Sequence, residues 1–420
     1  MLGKHSFKLL MKILLINSFD SKGGAAKAAI RLHEALNGLD CNNSMLVKQK
    51  ETNDPRIIAE TNKVKIALNY FLTKLESFFI KILFKDINNY SIGLFSSIGI
   101  VDRINAMKPD IVHLHWVHNS MISIKDITKI KAPIVWSMHD NWAISGGCHN
   151  FSFCKNHSKI HHRCNKLLNI TFSRKQKALS LKENISFLSL SSWLYKLAKD
   201  SELLRHKHNF HLPNPINTEI FTPIDQNLAR NKFNLPINKK LILYGALNAA
   251  TDPNKGLSIL IDSLKHHSNE EYELVVFGNI SNSSELNINV KTHYLGQFSD
   301  DLDINLILNT GDVLVVPSIQ ENFSNIILEG LASSIPVVAF NVGGNVDLVD
   351  HMKNGYLVKP FDTQEFHEGI KWILNHEKPI LLKENARQKV LREFDQNIVA
   401  KKYINLYNKI INFDSHNIMQ

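Results

Sequence analysis

What this chain lacks narrows its class first. Cysteine is scarce, with Cys41, Cys148, Cys154 and Cys164 the only four in 420 residues. That is too few for a disulfide scaffold, and no secretory signal precedes them, so a reducing, cytoplasmic setting is expected. Residues 1–10 hold no apolar region of useful length, and Met11 opens a better strand, so translation can start at Met1 or Met11. No stretch of about 18 uncharged apolar residues occurs, so no transmembrane helix is expected. The glycine fingerprints of dinucleotide and P-loop sites are missing. Internal repeats and low-complexity segments are absent. Basic residues do not interleave with aromatics as a stacking platform would require, which argues against nucleic acid as a partner.

What is present is ordinary in bulk and specific in detail. The length favours two domains, and a 44% hydrophobic fraction fits a globular core. The net charge of +10 fits a phosphate-bearing partner or a simple solubility surplus. Short apolar runs at 12–16, 41–47, 110–115, 134–137 and 185–190 read as strands, the last closing the first half. A helix is expected over 25–36. Prolines at 213 and 215 interrupt the pattern and place a hinge near 211–216. Strands then recur at 241–245, 273–277, 312–316 and 336–340, with helices at 257–266 and 325–333 and a final helix over about 397–413. Alternation of strands and helices predicts an α/β protein with two doubly wound, Rossmann-like domains. The boundaries are 1–212 and 213–395, with residues 396–420 packing back on the first domain. Facing halves would leave ligand space at the strand ends, in a cleft between the domains.

Several residues at these strand ends can carry chemistry, and each also has a plain structural reading. Gly23-Gly24, between the first strand and first helix, can admit a phosphate to the helix N-terminus or simply make a tight turn. Lys255-Gly256 follows a Pro-containing loop, where a lysine can neutralise a diphosphate or merely sit in solvent. Glu321 and Glu329 are eight apart; on one helix they would diverge by about 80°. The better placement puts Glu321 on the turn before the helix and Glu329 two turns in, where they could accept bonds from different sugar hydroxyls or be ordinary surface acids. Asn322, Phe323, Ser324 and Asn325 would then form an anion-friendly helix start. His139, at a strand end, can bind a hydroxyl, handle a proton or be structural.

Taken in order, these motifs resemble glycosyltransferase family 4, retaining enzymes of the GT-B fold. The matching segments are GGAAKAA at 23–29, HLHW at 113–116, SMHDNWAISGGCH at 137–149, PNPIN at 213–217 and DPNKG at 252–256. Pro317-Ser318 followed by Glu321 and Glu329, then GGNVDLV at 343–349 and NGYLV at 354–358, complete the set over about residues 11–360. The block around His139 is similar to a bacterial subgroup that builds exopolysaccharide, capsule or O-antigen lipopolysaccharide.

The resemblance implies a nucleotide-diphosphate-sugar donor and a glycan acceptor, expected to be lipid-linked. It implies that Glu329 binds the ribose, that Glu321 with the Asn322, Phe323 and Ser324 amides faces the sugar, and that Lys255, helped by Gly23-Gly24, holds the diphosphate. His139 would touch the transferred sugar; His139, Glu321 and Lys255 form the expected catalytic set. The Gly343-Gly344 loop would lie near the donor. No cofactor is expected. Metal independence is expected too, on the reading that no Asp-x-Asp pair of the metal-using type is present. Many family members carry an arginine shortly before the lysine, and none stands between residues 245 and 254 here. Competing readings are a sugar-nucleotide epimerase or hydrolase on the same fold, and a non-catalytic glycan- or nucleic-acid-binding protein.

Two segments stand outside this set. Cys148, Cys154 and Cys164, with His149, His157, His161 and His162, could hold a structural zinc, but they lack the close Cys-x2-Cys pairs, and a metal-free loop is the favoured alternative. Residues 61–85 carry five lysines and one acid. On a helix, Lys63, Lys74, Lys81 and Lys85 fall within about 40°, beside an apolar arc of Leu68, Phe71, Leu75, Phe78, Phe79 and Ile82. That layout fits a helix lying on anionic lipid, at the inner face of the cell membrane, or a core-facing helix with solvated lysines.

Overall fold

The computed structural model describes residues 11–83, 90–151, 166–246, 252–265, 272–279 and 290–418. The chain divides into two compact α/β units. The first comprises Met1–Leu190, Leu194–Pro215 and Val399–Gln420; the second comprises Ser191–Trp193 and Ile216–Ile398.

In the first unit the strands are β1 (Ile13–Phe19), β2 (Asn43–Gln49), β3 (Ile57–Ile58), β4 (Ile111–Leu114), β5 (Ile134–Met138), β6 (Ile185–Ser189) and β7 (His208–His211). They form one sheet in the order β3-β2-β1-β4-β5-β6-β7, every pairing parallel. A parallel sheet covered on both faces needs near-continuous apolar strands, and Ile13 to Ile16 are fully buried accordingly. The helix Gly24–Asn37 buries Ala29, Leu32 and Leu36, spaced three and four apart, against this sheet. The C-terminal helix Gln396–Ile418 adds Val399, Tyr403, Tyr407 and Ile410 to the same core. Fully burying side chains of this size contributes roughly 1.5–3 kcal/mol each.

β6 does not close this half: β7 pairs beyond it, with Phe187 opposite Asn209. The sequence His208-Asn-Phe-His211 has exposed ends and no apolar run, which hides it from hydrophobic patterning.

The second unit holds β8 (Lys240–Gly245), β9 (Tyr272–Phe277), β10 (Thr292–Gly296), β11 (Val313–Val316), β12 (Val337–Phe340) and β13 (Gly355–Val358). These are also all parallel, in the order β10-β9-β8-β11-β12-β13. Its core gathers Ile242, Leu274, Val313, Val338, Phe340 and Phe366. In both sheets the first strand is central and the chain winds outward one way, then the other. The direction reverses between β1 and β4 and between β8 and β11, and open α/β sheets bind ligands outside the carboxyl ends of strands at such points.

Among the described residues no helix is long and apolar enough to cross a membrane. One sequence reading needs correction. Asp301-Leu302-Asp303 does have the Asp-x-Asp spacing. Its residues form the first turn of the helix Asp301–Leu308, where Asp300 caps by accepting from the Leu302 amide at 2.7 Å, and acids there complement the helix dipole.

Candidate active site

The switch point of the second unit is built from three loops that follow β8, β11 and β12. After β8, the short 3-10 turn Pro253–Lys255 is capped by Asp252, whose side chain accepts from the Asn254 amide at 3.0 Å. Asn254 then stitches this loop to the one after β11. Its Nδ2 donates to Gln320 O at 2.8 Å, its Oδ1 accepts from Gln320 N at 3.1 Å, and its carbonyl accepts from Ile319 N at 2.9 Å. Gly256 has φ +67°, and a Cβ there would stand 1.9 Å from Pro317 O, so only glycine allows the loops to close this far.

The loop after β12 braces the same element from the other side. Gly344 N donates to Glu321 O at 3.0 Å. Gly343 has φ +53°, and an added Cβ would meet Glu321 O at 1.8 Å. The Gly343-Gly344 loop thus holds the Glu321 carbonyl while Asn254 holds the preceding Gln320, and the Glu321 side chain faces Lys255, with Nζ 2.9 Å from Oε1. The Glu321 carboxylate raises the lysine's pKa above its ordinary value, outweighing the opposing effect of burial.

Glu321 lies on the turn and Glu329 within the helix Asn325–Ala332. Glu329 is one turn in rather than two, because the helix starts only at Asn325. It is buried, at 3% exposure. Phe323 also points inward, its ring 5.8 Å from that of Phe394, so only its backbone can face a ligand. Ser324 is the buried N-cap residue and makes no side-chain capping bond. The first amides of this helix lack intrahelical partners by geometry.

In the first unit, Gly23 caps the helix Gly24–Asn37 with φ +88° and open space where a Cβ would lie. The loop after β1 is anchored below it by Asp20, fully buried, which accepts from the Glu51 and Thr52 amides. Across the switch point, the β4 end contributes a histidine array. His113 bonds Tyr407 Oη at 2.7 Å and Ser137 Oγ at 2.8 Å. His115 Nδ1 lies 2.9 Å from His139 Nε2. Burial lowers the pKa of His113 to about 3 and that of His139 to about 4, so both rings are neutral near pH 7.

Asp140 follows His139 and turns into a second group. Its Oδ1 accepts from the Trp142 amide at 2.8 Å, and its Oδ2 lies 2.5 Å from His149 Nδ1. Lys175, buried, donates to Trp142 O and Ser145 O, with its ammonium over the Trp142 ring. His115, His118 and Lys175 are residues that motif reading passed over. The signal for His115 was alternation: His113 and His115 stand two apart at a strand end and so share a face.

The cysteine set is not assembled among the described residues. Cys154, Cys164, His157, His161 and His162 lie outside them, as does Lys85. Cys148 is buried, and its Sγ donates to Tyr90 Oη at 3.0 Å.

The helix Lys63–Leu83 is inverted relative to an ordinary surface helix. Its polar residues Asn69 and Glu76 are buried: Asn69 Oδ1 accepts from the Ile98 amide, and Glu76 accepts from Ser120 Oγ at 2.6 Å. Val64, Leu68, Phe71, Phe78 and Ile82 are exposed. These five residues therefore do not face the core; within the expected arc, Leu75 and Phe79 are half-buried, Phe79 against Ile92.

Residues 225–389, which include the Lys255–Glu321 site, match the family of glycosyl transferases group 1. Curated relatives include bacterial glycosyltransferases. The N,N'-diacetylbacillosaminyl-diphospho-undecaprenol α-1,3-N-acetylgalactosaminyltransferase of Campylobacter jejuni is 29% identical over 204 residues, 47% of this chain and 53% of that protein. The capsular polysaccharide biosynthesis glycosyltransferase CapM of Staphylococcus aureus is 25% identical over 247 residues, 56% of this chain and 61% of that protein. The matched region thus spans little more than half the length of these relatives. Among solved structures, sucrose-phosphate synthase from Thermosynechococcus elongatus superimposes with a TM-score of 0.68 at 18% identity, covering 96% of this chain and 99% of that one. The two parallel-sheet, Rossmann-like units are those of the GT-B glycosyltransferase fold.

Proposed function

We propose that the protein is a retaining family 4 glycosyltransferase, moving a sugar from a nucleoside-diphosphate donor to a hydroxyl of a lipid-linked bacterial surface glycan. The observation that carries this reading is the Lys255–Glu321 pair, fixed at the switch point of the second unit by Asn254 on one side and Gly343-Gly344 on the other. A cation held beside a helix N-terminus at a strand end is what a diphosphate requires.

Each role follows from this placement. Lys255 and the first amides of the helix Asn325–Ala332 take up the charge that develops on the departing diphosphate. Glu321, already bonded to Lys255, accepts from donor-sugar hydroxyls. Glu329, deeper in the same helix, takes the ribose. Neutral His139, oriented by His115, bonds a hydroxyl of the transferred sugar. Front-face attack fits this set: the acceptor oxygen bonds to the anomeric carbon as the bond to the diphosphate breaks, and the acceptor proton passes to the leaving phosphate oxygen. The diphosphate's charge is met by protein groups, without an assigned metal or cofactor.

A lipid-linked acceptor is supported by the name of the Campylobacter relative and by the inverted helix Lys63–Leu83. Its outward apolar side chains, with the exposed Lys63 and Lys74 nearby, fit an anionic bilayer surface and support the reading of a peripheral protein on the cytoplasmic face of the membrane.

The test is product analysis with a panel of sugar nucleotides, with and without undecaprenyl-diphosphate-linked acceptors. Acceptor-dependent glycoside of retained configuration supports the reading. Free sugar or an epimerised nucleotide at the same rate without acceptor would replace it with a hydrolase or epimerase.

A further inference from the structure

Beside the histidines assigned above lies a group of side chains that the transfer reaction does not use. His118, Asp140 and His149 each present one donor atom, and these atoms all lie within 4.8 Å of one another. They come from two loops: His118 follows β4, while Asp140 and His149 both follow β5, on either side of Trp142–Ile144. Two imidazoles and one carboxylate form a mixed N/O set that suits a first-row divalent ion, zinc in particular.

We propose that His118, Asp140 and His149 bind a single Zn²⁺ ion that staples the loops after β4 and β5 and so fixes the backbone carrying His139.

The surroundings supply what such a site needs. Zinc ligands at about 2.1 Å from the ion stand about 3.4 Å apart, so small side-chain rotations close this set. Asp140 Oδ1 is already occupied by the Trp142 amide, leaving Oδ2 directed at His149. His149 Nε2 lies 2.8 Å from Ser91 Oγ, an outer partner that fixes the ring and its tautomer. The Trp142 ring stands edge-on to His118, centroids 4.5 Å apart, and the Trp116 ring likewise at 4.9 Å, which encloses the site. Ligation through Nδ1 leaves His149 as the neutral Nε2–H tautomer, with Nε2 donating to Ser91 Oγ. Water completes the coordination.

This assignment differs from a cysteine-based zinc site, and the experiment separates them. The full-length protein is stripped with a chelator, dialysed against micromolar ZnCl₂, desalted and assayed by elemental analysis. About one zinc per chain is expected for wild type and for the Cys148→Ser/Cys154→Ser/Cys164→Ser variant. At least a tenfold lower content is expected for His118→Gln and for Asp140→Asn. Circular dichroism of each variant in chelator controls for folding. The Co²⁺-loaded wild type gives a second reading that needs no variant: d–d bands without a thiolate charge-transfer band are expected. Substoichiometric zinc in wild type, full zinc in His118→Gln, zinc loss in the cysteine variant, or a thiolate–cobalt band would each overturn the proposal. None of these readouts depends on donor turnover.

Discussion

Lys255 Nζ and Glu321 Oε1 meet at 2.9 Å across 66 residues of sequence, with side chains only 28% and 16% exposed. Neither can be removed without changing the other. Glu321 keeps Lys255 charged, and Lys255 neutralises a carboxylate that would otherwise repel a diphosphate. Lys255→Ala should therefore leave a negative pocket and weaken nucleoside-diphosphate binding by a hundredfold or more. Lys255→Arg, which keeps the charge, should lose less. Glu321→Gln should retain nucleotide binding within a few fold while cutting turnover by about two orders of magnitude, a size typical of lost transition-state contacts. Calorimetric titration alongside the transfer assay measures both. Equal nucleotide affinity in Lys255→Ala and wild type would remove the diphosphate role.

His139 and His115 give a graded pair. His139→Ala should lower turnover about a hundredfold with little change in nucleotide affinity. His115→Gln, which frees the His139 ring to turn, should lower turnover about tenfold, as expected for lost orientation. Steady-state kinetics checks both, and an unchanged turnover in His139→Ala would contradict contact with the sugar.

Stability should fall on mild acidification. His113 is buried between Tyr407 and Ser137, and its pKa drops from 6.5 to about 3 on folding. A depressed pKa means the unfolded chain binds the proton more readily, so this group's contribution is intact above pH 6.5 and is lost progressively as pH falls from 6.5 to 3. At pH 5 the loss from His113 alone is about 2 kcal/mol. Thermal melts of wild type and His113→Asn between pH 8 and 4.5 should show a steeper decline in wild type. Parallel curves would show that His113 does not carry the effect.

The inverted helix makes a binding prediction that spares the fold. Phe71 and Phe78 are 60% and 56% exposed. Replacing both with serine should reduce co-sedimentation with anionic vesicles at least fivefold and leave the melting temperature within about 2 °C, since exposed substitutions cost little. Undiminished sedimentation, or none in wild type, would remove the membrane-surface reading.

Much of this was legible in sequence because the central strands are apolar on both faces and the loops after them carry glycine, lysine and acids at fixed places. Edge strands were not: β3 has two residues, β7 reads His-Asn-Phe-His, and β10 is half exposed, because a sheet edge does not demand continuous apolar residues. Position was legible for Glu321, on its turn, but the Lys255–Glu321 contact was not, since pairing across 66 residues depends on which strands become neighbours. The same holds for His118, Asp140 and His149, which adjacent strand ends bring together. Burial was the other blind spot. The apolar arc of residues 63–83 fits a core helix and a surface one alike; the burial of Asn69 and Glu76 distinguishes them.

The central claim is that the second unit binds a nucleoside diphosphate through Lys255 and Glu329. A thermal-shift screen of UDP, GDP, ADP, CDP and dTDP with their common sugar conjugates tests it most directly, because a ligand stabilises the state it binds. We expect at least one to raise the wild-type melting temperature by several degrees, with the shift abolished in Lys255→Ala and strongly reduced in Glu329→Gln. No shift with any nucleotide at millimolar concentration, or an equal shift in both variants, would contradict the account.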